Sequence, residues 1–249
     1  VSPMEKEPAT DRGTAGPRLS LRWIWLAWLG AVLTVSGFVV MGTVSRGDPT
    51  PLIERLFGST STFAFFTYTV GQGLAALALI ALARRRGLGF RDIGFKGRLT
   101  RQGIVYALGG WFVAFWLYYV VEKALGLAGI GMFWNEAAFF ALDSAGRVVV
   151  VVVATLVVAP LAEEMIYRGY VLEALLGRLR TPAAVALSAL IFASIHIGIG
   201  LGLAVYIFLG ALILAYLYVR FRNIYPCVVM HLLNNVVAYL VIPLVVGAH

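Results

Sequence analysis

Residues 148–176 read VVVVVVATLVVAPLAEEMIYRGYVLEALL, and this stretch decides the class of the protein. It is long and apolar enough to cross a bilayer as a helix, yet its second half carries Glu163, Glu164 and Arg168. A charged side chain at the centre of a span costs roughly 2.5–3.5 kcal/mol on insertion scales unless it is paired or faces a wet cavity. Two later stretches repeat the pattern, Phe192-x-x-x-His196 and His231-x-x-x-Asn235. Carboxylates, imidazoles and a carboxamide at that depth point by default to a reaction centre or a transport path.

The bulk composition agrees. The 249 residues are 61% hydrophobic and only 13% charged, where a soluble domain runs nearer ~25% charged; mean hydropathy is +0.89. The net charge of +8 does not indicate nucleic acid, because of where it sits. Lys6, Arg12, Arg18 and Arg22 lie in the N-terminal tail, and Arg84 to Arg101 form one basic loop. Arg178 with Arg180, and Arg220 with Arg222, mark two more. The intervening loops are sparsely basic and diluted by Asp48, Glu54, Glu122, Glu136 and Asp143. That alternation is the positive-inside pattern. Cys227 is the only cysteine, which leaves no internal disulfide and no thiolate metal cluster.

Candidate spans of about 20 residues fall at Trp23–Val44, Phe63–Ala83, Gly103–Val121, Val148–Leu176, Ala183–Ile199, Leu201–Val219 and Tyr225–Val246. The expected fold is therefore all-α, a polytopic bundle of about seven spans with a cytoplasmic N-terminus. It is expected to form a single transmembrane domain over 23–246, with its motif-bearing core at 147–240, behind a disordered cytoplasmic tail over 1–22. The Phe- and Trp-rich piece around Met132–Leu142 is expected to lie at the outer interface or to form an eighth, re-entrant segment. From Arg147 to Arg178 the fourth helix would run about 48 Å. Pro160 inside it would leave the carbonyl four residues earlier without a donor and kink the rod just before the glutamates.

Spacing sorts the polar residues into pairs. Glu164 and Arg168 stand at i,i+4 with Glu first, the favoured order for an ion pair. Glu163 then points about 100° away, toward whatever the bundle encloses. Phe192 with His196, and His231 with Asn235, each share a helix face, while Asn234 is rotated aside in the manner of amides that join helices. Read from the residues alone, these are equally a clamp and a hydrogen-bond network holding helices together. Taken as chemistry, two arrangements are complete. A carboxylate and an imidazole could activate water while a second imidazole and an amide stabilise an oxyanion; or Glu163, His196 and His231 could hold a divalent metal such as zinc. No H-E-x-x-H helix, nucleophile elbow or Walker loop is present.

The order Glu-Glu-x-x-x-Arg, Phe-x-x-x-His, His-x-x-x-Asn, with Ala159-Pro160 before it and Tyr167-Arg168-Gly169 within it, resembles the CAAX-protease and bacteriocin-processing family of intramembrane proteases. That family includes the type II CAAX endopeptidases, and the motifs cover about Val148–Tyr239. The resemblance implies a multi-pass endopeptidase that cuts a lipidated or membrane-proximal peptide, prenylated substrates included; the short Ala-, Val- and Gly-rich chain suggests a prokaryotic plasma membrane. It implies that Glu163 and His196 activate water, that His231 and Asn235 stabilise the oxyanion, and that Glu164 and Arg168 shape the site. It leaves open a metal on Glu163, His196 and His231 against direct glutamate activation, the reading favoured by the donor count. The expected partners are a peptide or lipidated protein and the bilayer, not nucleic acid. An ion-coupled carrier and a non-catalytic immunity or scaffold protein are the competing classes; no internal repeat of the carrier kind is visible.

Overall fold

The computed structural model describes residues 19–133 and 145–243, apart from the side chains of residues 61 and 147. Most of the expected disordered tail, and the interfacial segment beyond Phe133, lie outside those residues. What is described is helical, with no strand among the described residues. The elements are α1 (Leu21–Val44), α2 (Thr50–Phe57), α3 (Thr60–Arg84), α4 (Arg101–Gly126), α5 (145–176), α6 (Thr181–Ser194), α7 (Leu201–Phe221) and α8 (Tyr225–Val241).

Five of these, α1, α3, α4, α5 and α7, are long and apolar enough to cross a membrane. The sequence predicted seven spans. The other two, α6 and α8, are apolar helices of 14 and 17 residues, or about 21 and 26 Å at 1.5 Å per residue, against a hydrocarbon core of ~30 Å. The expected spans Ala183–Ile199 and Tyr225–Val246 are met differently: α6 stops short of residue 199, while α8 is helical from Tyr225 to residue 243, the last described. After Ser194 the chain leaves α6 in a series of turns through His196, and α8 begins only after the bend at Arg222–Ile224.

Burial identifies the central element. Half of the apolar window of α5 is buried within the protein, against 17–22% for α1, α3 and α4. Its neighbours are α3, α6 and α8, while α1 packs on α3, and α4 and α6 pack on α7. The α1–α3 crossing is close because both helices lack side chains where they meet: a Cβ on Gly71 would stand 2.5 Å from the Cα of Gly30.

α5 is not a plain α-helix. Val153–Val158 and Glu164–Leu172 are π-helical, and only Ala159–Glu163 between them is α. The expected proline break therefore takes another form. In the first π segment the Ala159 N–H reaches the carbonyl of Ala154, five residues back. The next bond in that register would run from residue 160 to Thr155, but proline has no N–H. The carbonyl left without a backbone donor is thus that of Thr155, five residues before the proline rather than four, and Asn235 of α8 fills it, Nδ2 to O 2.8 Å. The second π segment is served from outside in the same way, as Ser188 donates to the Tyr167 carbonyl at 3.2 Å. Such insertions recur at functional sites.

One end of the bundle gathers the basic loops. Arg178 donates to the Leu19 carbonyl (2.9 Å), and Ile224 N–H to the Gly94 carbonyl (3.0 Å). Glu173 collects Lys96 (3.3 Å), Arg222 (2.5 Å) and the Tyr218 hydroxyl (2.9 Å). A cavity of about 500 Å³ lies among these groups. The loop after α3 turns inward and seats Ile93 against Gly169 of α5, so closely that a Cβ there would stand 2.0 Å from the Ile93 carbonyl oxygen.

Candidate active site

Glu163 ends the short α segment of α5 and Glu164 opens the π segment after it, both inside the bundle at 3% and 0% exposure. Arg168 lies one turn on and pairs with Glu164, Nη1 to Oε1 3.0 Å. Its guanidinium also sits 4.6 Å from the centre of the Phe192 ring on α6 and reaches toward the Ala211 carbonyl of α7. The clamp that the i,i+4 spacing predicted is therefore present and sealed from solvent, and it ties three helices together.

His231 of α8 stands between the two glutamates. Its Nδ1 meets the same Oε1 of Glu164 at 2.8 Å, and its Nε2 faces Oε2 of Glu163 at 3.8 Å. A carboxylate accepts, so Nδ1 carries a proton and Nε2 is the atom presented to Glu163. The gap of 3.8 Å exceeds a hydrogen bond but suits one water touching both atoms. The other oxygen of Glu163, Oε1, accepts from the Tyr68 hydroxyl of α3 at 2.6 Å, and Gln72 Nε2 donates to that hydroxyl at 2.9 Å. Formally Glu163, Glu164 and Arg168 sum to one negative charge.

The remaining predicted residues are placed differently. His196 lies just past the end of α6, with its ring against Phe192 at 5.1 Å and Nδ1 bonded to the Phe192 carbonyl at 3.1 Å. Since that partner can only accept, Nε2 is the open acceptor. Among the described residues His196 makes no hydrogen bond to either glutamate; the Phe192 ring it packs on also stands 6.3 Å from His231. Asn235 uses one amide proton on the Thr155 carbonyl and retains a second. Asn234 joins helices, accepting from Tyr206 of α7 at 2.7 Å.

As a metal centre the set does not fit. No group of three His, Cys, Asp or Glu side chains among the described residues is arranged to hold an ion. His231 and His196 each commit Nδ1, to Glu164 and to the Phe192 carbonyl, and keep Nε2 open, but His196 makes no bond into the glutamate cluster. The donors that do converge form an acid–base cluster.

Tyr68 and Gln72 were not singled out in the sequence. They share a face at i,i+4 inside an apolar span, the same signal that exposed His231 and Asn235, but without a neighbouring charge to draw notice. Thr155 was hidden for another reason: only its backbone takes part with α8.

Residues 145–237 match the family described as Type II CAAX prenyl endopeptidase Rce1-like. The match contains both glutamates, Arg168, both histidines and Asn235, and excludes α3. No curated protein and no solved structure matches the chain.

Proposed function

We propose, from the premise that this chain belongs through residues 145–237 to the CAAX-protease and bacteriocin-processing family, that it is an intramembrane endopeptidase cutting a prenylated peptide near the cytoplasmic face. One observation carries the mechanism: a buried carboxylate, Glu163, and an imidazole nitrogen, His231 Nε2, face each other at 3.8 Å, close enough for one water beside them to touch both, and the imidazole is braced from behind by Glu164 and Arg168. Water placed there loses a proton to Glu163 Oε2 as its oxygen adds to the scissile carbonyl. His196 offers Nε2 as an acceptor and assists that proton transfer from the substrate side. The oxyanion is stabilised from α8 by the second amide proton of Asn235, and by His231 when the proton taken up by Glu163 passes to Nε2 and back before the amine leaves. Collapse breaks the C–N bond and the leaving amine takes the proton held on Glu163, giving a carboxylic acid and an amine; the acid then passes its proton to the amine. No metal enters these steps.

We place the N-terminus in the cytoplasm, with α6 and α8 completing seven crossings inside the bundle. The meeting of the four basic regions at one end supports this orientation.

The test is cleavage of a farnesylated peptide ending in a CAAX tetrapeptide by protein reconstituted in liposomes, read by mass spectrometry. The parent releases the terminal tripeptide. Glu163→Gln, which keeps the shape and the acceptor for Tyr68, elutes as folded protein and releases none. A chelator leaves the parent's rate unchanged. Undiminished cleavage by Glu163→Gln overturns the catalytic assignment, and loss of activity to chelator restored by zinc overturns the metal-free mechanism.

A further inference from the structure

The site does not end where the family match ends. Tyr68 and Gln72 belong to α3, outside residues 145–237, and together they form a buried relay onto Glu163. The donors and acceptors run one way. The Glu163 carboxylate can only accept, so the Tyr68 hydroxyl spends its single proton on Oε1; its lone pair is then filled by an N–H of Gln72.

Gln72 is itself fixed. It is fully buried beneath α1, where Gly30 comes so close that a Cβ would stand 2.9 Å from Gln72 Nε2. Its Oε1 has no partner among the described residues. A buried amide oxygen left unpaired costs free energy, so this amide is held by what its nitrogen does rather than by full satisfaction. Apolar packing alone would favour leucine here.

We propose that Tyr68, backed by Gln72, is a positioning residue for the peptidase reaction. By occupying Oε1 it locks the Glu163 rotamer and leaves Oε2, the oxygen facing His231, as the only base. This inference rests on the function proposed above, but its geometry can be tested apart from it. Without the hydroxyl the carboxylate can turn out of the orientation in which one oxygen faces His231, and the productive geometry is populated for less of the time.

Two measurements on purified full-length protein test it. In the farnesylated-peptide assay Tyr68→Phe lowers kcat about 10- to 100-fold, the range for one hydrogen bond to a charged group, with KM within twofold of the parent. Gln72→Leu lowers kcat several-fold, again with KM held. In the Glu163→Gln background Tyr68→Phe changes nothing further. The second readout is independent of activity: dicyclohexylcarbodiimide adds to buried carboxyls as a stable N-acylurea, located by fragment mass spectrometry. Tyr68→Phe uncovers Oε1, so labelling at Glu163 rises at least threefold while labelling at Glu164 is unchanged. If the parent fails to cleave the peptide, the proposed function falls, and the labelling result alone decides for or against the relay. Unchanged labelling, or a Tyr68→Phe variant with parental kcat and only a lower melting temperature, overturns the positioning role.

Discussion

Replacing Arg168 with methionine removes the only guanidinium from the cluster and leaves Glu164 at 0% exposure with a stranded charge. Deleting one partner of a buried ion pair typically costs about 3–5 kcal/mol. Here the lower figure applies, because Oε1 of Glu164 keeps one donor in His231 at 2.8 Å and methionine restores much of the lost packing volume. A loss of about 3 kcal/mol corresponds to a fall in Tm of roughly 6–12 °C for a chain of this size. The assay is thermal unfolding in detergent micelles followed by fluorescence of the six tryptophans. The double variant Arg168→Met, Glu164→Leu discriminates, since it removes the stranded charge along with the pair. Its cost falls short of the sum of the two single costs by about 2 kcal/mol or more, the coupling expected of residues in direct contact. It does not return to parental stability, because His231 Nδ1 then lacks its acceptor, a penalty of about 1–3 kcal/mol. A single variant within 1 kcal/mol of the parent, or strictly additive costs, refutes the view of the pair as a sealed internal clamp.

Other consequences follow from the same contacts. Gly169→Ala drives a methyl into the Ile93 carbonyl; stability falls by about 3 kcal/mol, and trypsin nicks the loop at Arg91, Lys96 or Arg98 faster than in the parent. Asn235→Ala strands the Thr155 carbonyl and costs about 1–3 kcal/mol. In a Pro160→Ala background, where residue 160 regains an N–H, that cost shrinks by at least half in the same unfolding assay, and equal costs in both backgrounds would rule out the π-register account.

The candidate site was legible in the sequence because cost makes polar groups in apolar runs visible. Glu163, Glu164, Arg168, His196, His231 and Asn235 stand out as polar groups in apolar runs, and helical periodicity alone pairs Glu164 with Arg168. The same logic applied to Tyr68 and Gln72 was too weak to act on, since tyrosine and glutamine are tolerated in spans for many reasons. A hydropathy run registers that residues are apolar, whereas the backbone decides whether they continue one helix, as where the run through residue 199 gives way to turns after Ser194.

By itself, then, the sequence determined the membrane class, the basic ends and the set of chemically able side chains, because each depends on local composition and on a fixed helical period. Only the tertiary structure decided which of them face one another. The π turns of α5 re-aim every residue after Val153, proline at 160 hands the Thr155 carbonyl to Asn235, and packing of α8 sets His231 between two glutamates that adjacent positions would otherwise have turned apart. These depend on hydrogen-bond register and on contacts between helices distant in the chain, which no single stretch of residues encodes.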